Sequence, residues 1–269
     1  MLYWSRAPSM TQSPNHSAYF MTGLQRGLQV LEILGAADEP MSLSMIAQQL
    51  GLSRSSAFRV VYTLRQMDFL KEADQKSTYT LGSRVLNLGF AYLHQQPITE
   101  LARTHLAKLR DVTEISAHLS VLDDKVVLYL DSHQARSGFV SNMVTGTRVE
   151  AYASAIGWCL LSSFSDAELK KFSKGLDMKP ITEQTPVNFK QLQQRVEDIR
   201  QKGYVVSRGV REPGGSSIAV PIIRNDGRVA ACVNISGPDS GFDFARIEEL
   251  YLPETQKAAL NISRELGYC

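Results

Sequence analysis

Ser42-Leu-Ser-Met-Ile-Ala-Gln-Gln-Leu-Gly-Leu-Ser-Arg-Ser-Ser-Ala-Phe-Arg-Val-Val-Tyr-Thr-Leu64 reads as two short helices on either side of a glycine. Before the glycine, Ser44 is positioned to cap a helix over Met45 to Leu50 with Ile46, Ala47 and Leu50 on its inner side. Gly51 supplies the left-handed residue that a tight turn needs. Beyond it, Ser53 is a second N-cap. Ala57, Val60, Val61 and Leu64 then follow at i, i+3, i+4 and i+7, a single apolar stripe. The rest of that helix shows Arg54, Ser55, Ser56, Phe58, Arg59 and Tyr62.

This pattern predicts a helix-turn-helix whose second helix can lie in a DNA major groove. An arginine fork meets guanine or phosphate bidentately. Small serines let the backbone approach and can donate to phosphates. Upstream, Leu24, Leu28, Leu31 and Ile33/Leu34 follow helical spacing until Pro40 breaks the chain. Downstream, Phe69 to Lys71 and Thr78 to Leu81 read as strands around a polar tip that contains Lys76. A two-stranded wing after the second helix makes a winged helix-turn-helix, and Lys76 would reach an adjacent backbone.

The charge pattern agrees. The chain has 29 basic and 27 acidic residues, a net charge of +2. That excess arises wholly within the first 97 residues, and residues 40 to 66 hold three arginines and no acid. Such a local basic stretch is the footprint of phosphate contact. A helix-turn-helix that docks on protein is the alternative, and it would want a charge-neutral recognition face.

At 269 residues the chain is long enough for two domains. Its 43% apolar content argues against a disordered protein. No apolar run approaches the ~20 residues of a membrane helix, and no secretory signal opens the chain. Residues 1–21 read as a flexible tail. Cys159, Cys232 and Cys269 are far apart with no C-x-x-C, so neither a disulfide framework nor a thiolate metal site is expected, and the cytoplasm is the natural compartment. The five histidines have no i, i+4 partner and read as surface or satisfied residues. No phosphate loop, nucleophile elbow or nucleophile–base pair is present, so no catalytic residue, metal or cofactor is expected. A small-molecule enzyme carrying a DNA-binding head is the second alternative.

Ser83 to His94 reads as a largely apolar linker helix that must bury against something, for which a partner subunit is a candidate. Pro97 marks a boundary. Beyond it, Ile98 to Val112 is helical. Ala117 to Leu122 and Val126 to Leu130 form a hairpin. Helices follow over 155–163, from Ser165 and over 189–202. Strands over 204–207, 217–223 and 228–235 precede a long closing helix, Phe244 to Leu266. This is an α+β layout.

Gly27-Leu-Gln-Val-Leu-Glu-Ile-Leu34, the 42–64 stretch and Tyr79-Thr-Leu-Gly-Ser-Arg-Val-Leu-Asn-Leu-Gly89 together resemble the IclR family of bacterial transcription regulators, and the likeness extends over about residues 22–265. The resemblance implies a DNA-binding domain over 22–82, a linker helix over 83–97 and a GAF-like antiparallel-sheet effector domain over 98–269. It implies a homodimer or homotetramer on double-stranded operator DNA, controlled by a small organic effector such as a carboxylate or aromatic acid. The effector site it implies takes Ser154 as a helix cap that leaves the N–H groups of Ala155, Ile156 and Gly157 for an anion. It adds the polar wall of Ser207, Ser217, Asn234 and Ser236. Many members carry Asp at the place of Ser207, Cys at that of Ser217 and Lys at that of Trp158, so the wall here is neutral and hydrogen-bonding. Leu119, Val121 and Tyr129 are candidate apolar walls. Arg136, Arg148, Arg208 and Arg211 are candidate carboxylate partners.

Overall fold

The computed structural model describes residues 19–73, 77–136 and 143–268. It divides into two compact units, the first ending at Gln95 and the second starting at Gln96. Residues 1–18 of the expected tail and Lys76 at the wing tip lie outside the described residues.

In the first unit, α1 (Thr22–Gly35), α2 (Leu43–Leu50) and α3 (Arg54–Gln66) pack on a small sheet of β1 (Met41–Ser42), β2 (Leu70–Glu72) and β3 (Thr78–Leu81), and α4 (Arg84–His94) follows. Strand order is β1-β3-β2, all antiparallel, with Met41 opposite Tyr79 and Lys71 opposite Thr80. The wing therefore has a third strand, contributed by the residues just before α2. The core is Val30, Leu34, Met41, Leu43, Ile46, Ala47, Ala57, Val61, Leu70 and Tyr79.

Two expectations are corrected here. The cap of α2 is Ser42, whose Oγ accepts from the Met45 amide at 3.3 Å. Ser44 is instead an exposed residue inside the helix, because Leu43 is drawn into the core and starts the helix earlier. In α1 only Val30 and Leu34 are buried, while Leu24 and Leu28 stay exposed. The turn between α2 and α3 forms as the sequence predicts, with Gly51 at φ 62°.

The second unit begins with α5 (Pro97–Thr113), in which proline takes a first-turn position that lacks an intrahelical donor requirement. Then come β4 (Ser116–Asp123), β5 (Val126–His133), β6 (Arg148–Glu150), α6 (Ala155–Leu160), α7 (Asp166–Ser173), α8 (Phe189–Lys202), β7 (Val205–Arg208), β8 (Gly215–Ile223), β9 (Val229–Pro238) and α9 (Leu252–Glu265). The six strands make one antiparallel sheet in the order β6-β5-β4-β9-β8-β7. Helices α5 and α9 pack on one another and on the sheet; α6 also packs on the sheet and, with α8, shares a core that includes Tyr129, Ala219 and Cys232. The closing helix is not continuous: 247–251 is a widened π turn whose end is tied by the Leu252 amide to the Ile247 carbonyl. Pro253 follows immediately and brings no amide donor, so the regular ladder starts only after it.

Candidate functional site

Two places in the chain gather chemistry without an internal use for it. The first is α3. Ser53 Oγ accepts from the Ser56 amide at 3.3 Å and lies within 3.2 Å of Ser55 Oγ and 3.0 Å of Ser56 Oγ. This serine cluster fixes the start of the helix and the direction of its first turn. Ala57 and Val61 are buried, so Arg54, Ser55, Phe58, Arg59 and Tyr62 face outward. The rings of Phe58 and Tyr62 sit 6.0 Å apart and are each about half exposed, Phe58 50% and Tyr62 49%. Large aromatic side chains are not left in water by core packing, which makes this face unlike an ordinary solvated one. Among the described residues, neither Arg54 nor Arg59 has an ion-pair partner. Arg65, expected to be free of a neighbouring acid, instead pairs with Glu72 of β2 at 3.2 Å, and Glu72 also accepts from the Ser77 amide at 3.1 Å. The salt bridge links α3 to the wing. At the wing's other end, Arg84 donates to the Met67 carbonyl at 2.9 Å and lies over the Phe69 ring.

The second place is the sheet face toward α6. Side chains alternate faces along a strand, so register assigns them. On β4, His118 stands opposite Asn234 and Ser120 opposite Cys232; on β8, Ser217 stands opposite Ser236 and Ala219 opposite Asn234. Ala219 and Cys232 belong to the α6 core, which places His118, Ser120, Ser217, Asn234 and Ser236 on that same face. A register shift beside Ser120 turns Tyr129 onto it as well, with its ring edge-on to His118 at 5.5 Å. Leu119 pairs with Val233 and Val121 lies two residues on, so both project from the opposite face. Tyr129 thus shares the α6-facing side with these polar residues, whereas Leu119 and Val121, expected beside it, do not.

Several polar atoms of this face are buried without a partner, while Ser116 Oγ and His118 Nδ1 are hydrogen-bonded. Among the described residues, His118 Nε2, the Oγ of Ser120, Ser217 and Ser236, and both amide atoms of Asn234 have no hydrogen-bond partner. Each buried orphan costs about 1–3 kcal/mol, and native structures hold few. Five such residues share this one face of the sheet. Ser207 differs: its hydroxyl donates to the Ser217 carbonyl at 3.3 Å. His118 was expected to be a satisfied or surface histidine. It is wholly buried and bonded only through Nδ1, to Ser132 Oγ at 2.9 Å. Burial pushes its pKa down to about 3, so it is neutral at physiological pH. Burial likewise raises the Tyr129 phenol above its usual range, and the Arg211 charge opposes that rise.

Ser154 caps α6 as expected, but its Oγ accepts the Gly157 amide at 3.1 Å, so that N–H is not left for an anion. Gly157 serves packing: a Cβ there would lie 2.0 Å from the Ala151 carbonyl oxygen. Trp158 is also internal, donating to the Tyr152 carbonyl at 2.7 Å. Of the four candidate arginines, Arg136 pairs with Asp111, Arg148 with Asp123 and Arg208 with Asp239. Arg211 alone among these four has no ion pair within the described residues. Cys159 and Cys232 are buried, and the Cys159 thiol is pushed up by burial and by its contact with Cys232, the reverse of an activated nucleophile.

Comparison with known proteins matches both units of the chain. The IclR helix-turn-helix domain matches residues 23–74, and the C-terminal domain of bacterial IclR transcriptional regulators matches residues 90–264. The HTH-type transcriptional regulator BhcR of Paracoccus denitrificans is 28% identical over 245 residues, covering 91% of this chain and 86% of its own. The crystal structure of a transcriptional regulator from Rhodococcus sp. RHA1 superposes with a TM-score of 0.81 at 29% identity, over 92% of this chain and 99% of that one. An IclR homologue from Microbacterium hydrocarbonoxydans, crystallised with 4-hydroxybenzoate, has the same fold with a TM-score of 0.76 at 23% identity, covering 91% and 99% of the two chains. Among the described residues no helix is long and apolar enough to cross a membrane.

Proposed function

The chain belongs to the IclR family of transcriptional regulators, with a DNA-binding helix-turn-helix and a C-terminal ligand-binding domain, and from that membership we propose how its own residues divide the work. Residues 22–82 form the reading head, 83–97 the linker helix and 98–269 the effector domain. Arg54, Ser55, Phe58, Arg59 and Tyr62 of α3 read operator DNA, with Ser53 and Ser56 holding the first turn in place. Arginines contact guanine edges or phosphates, and the aromatic pair meets thymine methyls and sugars. Ser44 and Lys76 contribute backbone contacts at the margins.

The observation that carries this assignment is the outward face of α3, which sets two unpaired arginines and two half-exposed aromatics opposite the buried Ala57–Val61 stripe. One such helix covers only a few base pairs, so a homodimer is the reading unit, alone or within a homotetramer. Helix α4 supports that assembly: none of its residues is buried, while Leu86, Leu88, Phe90 and Tyr92 are all exposed. A second copy of the chain is the occupant this reading assigns to that face. A small organic acid bound at the sheet face of the effector domain shifts operator affinity by its differential affinity for the DNA-competent and DNA-incompetent arrangements. The protein acts in the cytoplasm as a regulator and not as an enzyme.

Fluorescence polarisation of the purified chain on its own upstream DNA, across a salt series, tests the reading. Steeply salt-dependent, sequence-specific binding supports it. A chain that binds no DNA at any salt, or turns over a small acid, would return the helix-turn-helix to protein contact or the effector domain to catalysis. Sedimentation of Leu88→Glu tests the assembly, which is expected to shift to monomer.

A further inference from the structure

The start of α4 is fastened to the end of α3 across the root of the wing. Helix α3 closes with Asp68 in the left-handed region at φ 60°. There the Asp68 amide donates to the Arg65 carbonyl at 3.0 Å, and the Phe69 amide to the Leu64 carbonyl at 2.9 Å. The chain returns along β3 to the same spot. Gly82 is buried, and its amide donates to the Phe69 carbonyl at 2.8 Å. A Cβ at 82 would lie 2.2 Å from the Asp68 carbonyl oxygen, so only glycine lets the two backbones come this close. Two residues on, the exposed Arg84 donates to the Met67 carbonyl at 2.9 Å, and its guanidinium lies 5.2 Å over the Phe69 ring. Its charge thus sits at the negative end of α3. A further tie, Arg65 to Glu72, holds the wing to the same end of that helix.

We propose that Gly82 and Arg84 are positioning residues for operator recognition: they fix the direction of α4 relative to α3, and this joint decides which separation of two half-sites a pair of chains accepts. The proposal rests on the reading above, in which α3 enters DNA and a second copy covers α4, and it adds what sets the spacing. Without the joint, α4 would swing about residues 82 and 83, and each head would find its half-site independently of the other. With it, α3 and α4 turn as one body. Half-sites lie a whole number of turns of about 10.5 base pairs apart, so each inserted pair rotates one site by about 34° relative to the other. A stiff joint cannot follow that rotation and a slack one can. The Arg84 contacts explain why arginine suits this place: one N–H reaches the carbonyl while the flat guanidinium covers the ring, and a lysine does only the first.

The full chain is footprinted on its own upstream DNA, and the protected site is rebuilt as three duplexes: unchanged, with two base pairs inserted at its centre, and as a single half-site. Polarisation across a salt series compares the parent with Arg84→Ala, Arg84→Lys and Phe69→Leu. The parent is expected to lose at least tenfold in affinity on the insertion. Arg84→Ala should lose less than threefold on the same insertion, while it binds the single half-site within twofold of the parent and melts at the parent's temperature. Arg84→Lys, which keeps the charge, and Phe69→Leu, which removes the ring, should fall between the two. The salt slope on the half-site separates this role from direct DNA contact. A phosphate ligand lost in Arg84→Ala lowers the slope by about one, and a positioning residue leaves it unchanged. A full parental insertion penalty in Arg84→Ala, or a half-site affinity that falls together with the salt slope, overturns the proposal and leaves α3 as the reading helix. If Arg84→Ala does not fold, parental penalties in both Arg84→Lys and Phe69→Leu overturn it equally. A parent indifferent to the insertion overturns the paired-head reading and the proposal with it.

Discussion

Asn234 stands directly opposite His118 across the β4–β9 ladder, and the two side chains present three buried polar atoms that no group among the described residues meets. Cross-strand neighbours on one face come within about 5 Å at Cβ, so these groups act on one small volume. Both residues are wholly buried. Their register puts these unsatisfied polar groups on the two central strands of the sheet.

His118 gives a pH prediction. Its folded pKa is depressed to about 3, mainly by burial, with the His133 charge adding to the depression and Asp131 opposing it. The unfolded value is near 6.5. Below that value the unfolded chain takes up a proton that the folded chain refuses, so the contribution to stability is complete above pH 6.5 and falls as pH drops toward 3. The loss is at most about 1.4 kcal/mol per pH unit. The His118 ring resonances should not titrate between pH 5 and 8, and His118→Gln should flatten the acid limb of the stability curve by one proton. A ring that titrates near neutrality would contradict the burial described.

Arg54→Ala and Arg59→Ala should each weaken operator binding without altering the melting temperature. A lost bidentate base contact costs about 1–3 kcal/mol and relaxes specificity at one position, whereas a lost phosphate contact lowers affinity uniformly and reduces the salt slope by about one. Polarisation titrations on matched and mismatched sites separate the two. Unchanged affinity in both variants would mean that α3 is not the reading helix.

The serine caps make a contrast. Ser42→Ala and Ser53→Ala each remove a side-chain acceptor from a helix start and should cost about 1 kcal/mol. Ser44→Ala, at an exposed position inside α2, should be neutral within about 0.5 kcal/mol. Chemical denaturation of the three variants gives the ranking, and an equal loss at Ser44 would put the helix start two residues later.

Gly157→Ala should be severely damaging, the tightest methyl addition among the described glycines. The added carbon would sit 2.0 Å from the Ala151 carbonyl oxygen and 2.5 Å from the Ala151 Cα, both backbone atoms that cannot step aside cheaply. A cost of about 3 kcal/mol or more, or failure to fold, is expected. A variant as stable as the parent would show that α6 is free to lift from 151.

Local signals carried much of this structure. The 3.6-residue spacing of Ala57, Val61 and Leu64, the glycine turn and the serine cap at 53 each reproduce in α2 and α3. The helix expected from Ser165 starts there, and Ser165 and Glu168 form a capping box. What could not be read locally depends on distant partners. The choice between Ser42 and Ser44 as a cap turns on whether Leu43 is pulled into the core, and Met41 pairing with Tyr79 helps to decide that. The facing of Leu119 and Val121 depends on pairing between β4 and β9, more than a hundred residues apart. The alternation of Ser116, His118 and Ser120 with Ala117, Leu119 and Val121 was visible, but it reads as a half-exposed strand. Only tertiary packing buries the polar side, His118 included.

Helix α4 has eleven residues and buries none of them. A helix that short is marginal in water on its own, since nucleation costs more than so few hydrogen bonds return. If its apolar face is covered by a second chain, ordering of the connector and association of the subunits are one equilibrium. Helicity over these residues would then rise with protein concentration, and dilution would turn a stiff rod into a slack tether before either folded unit melted.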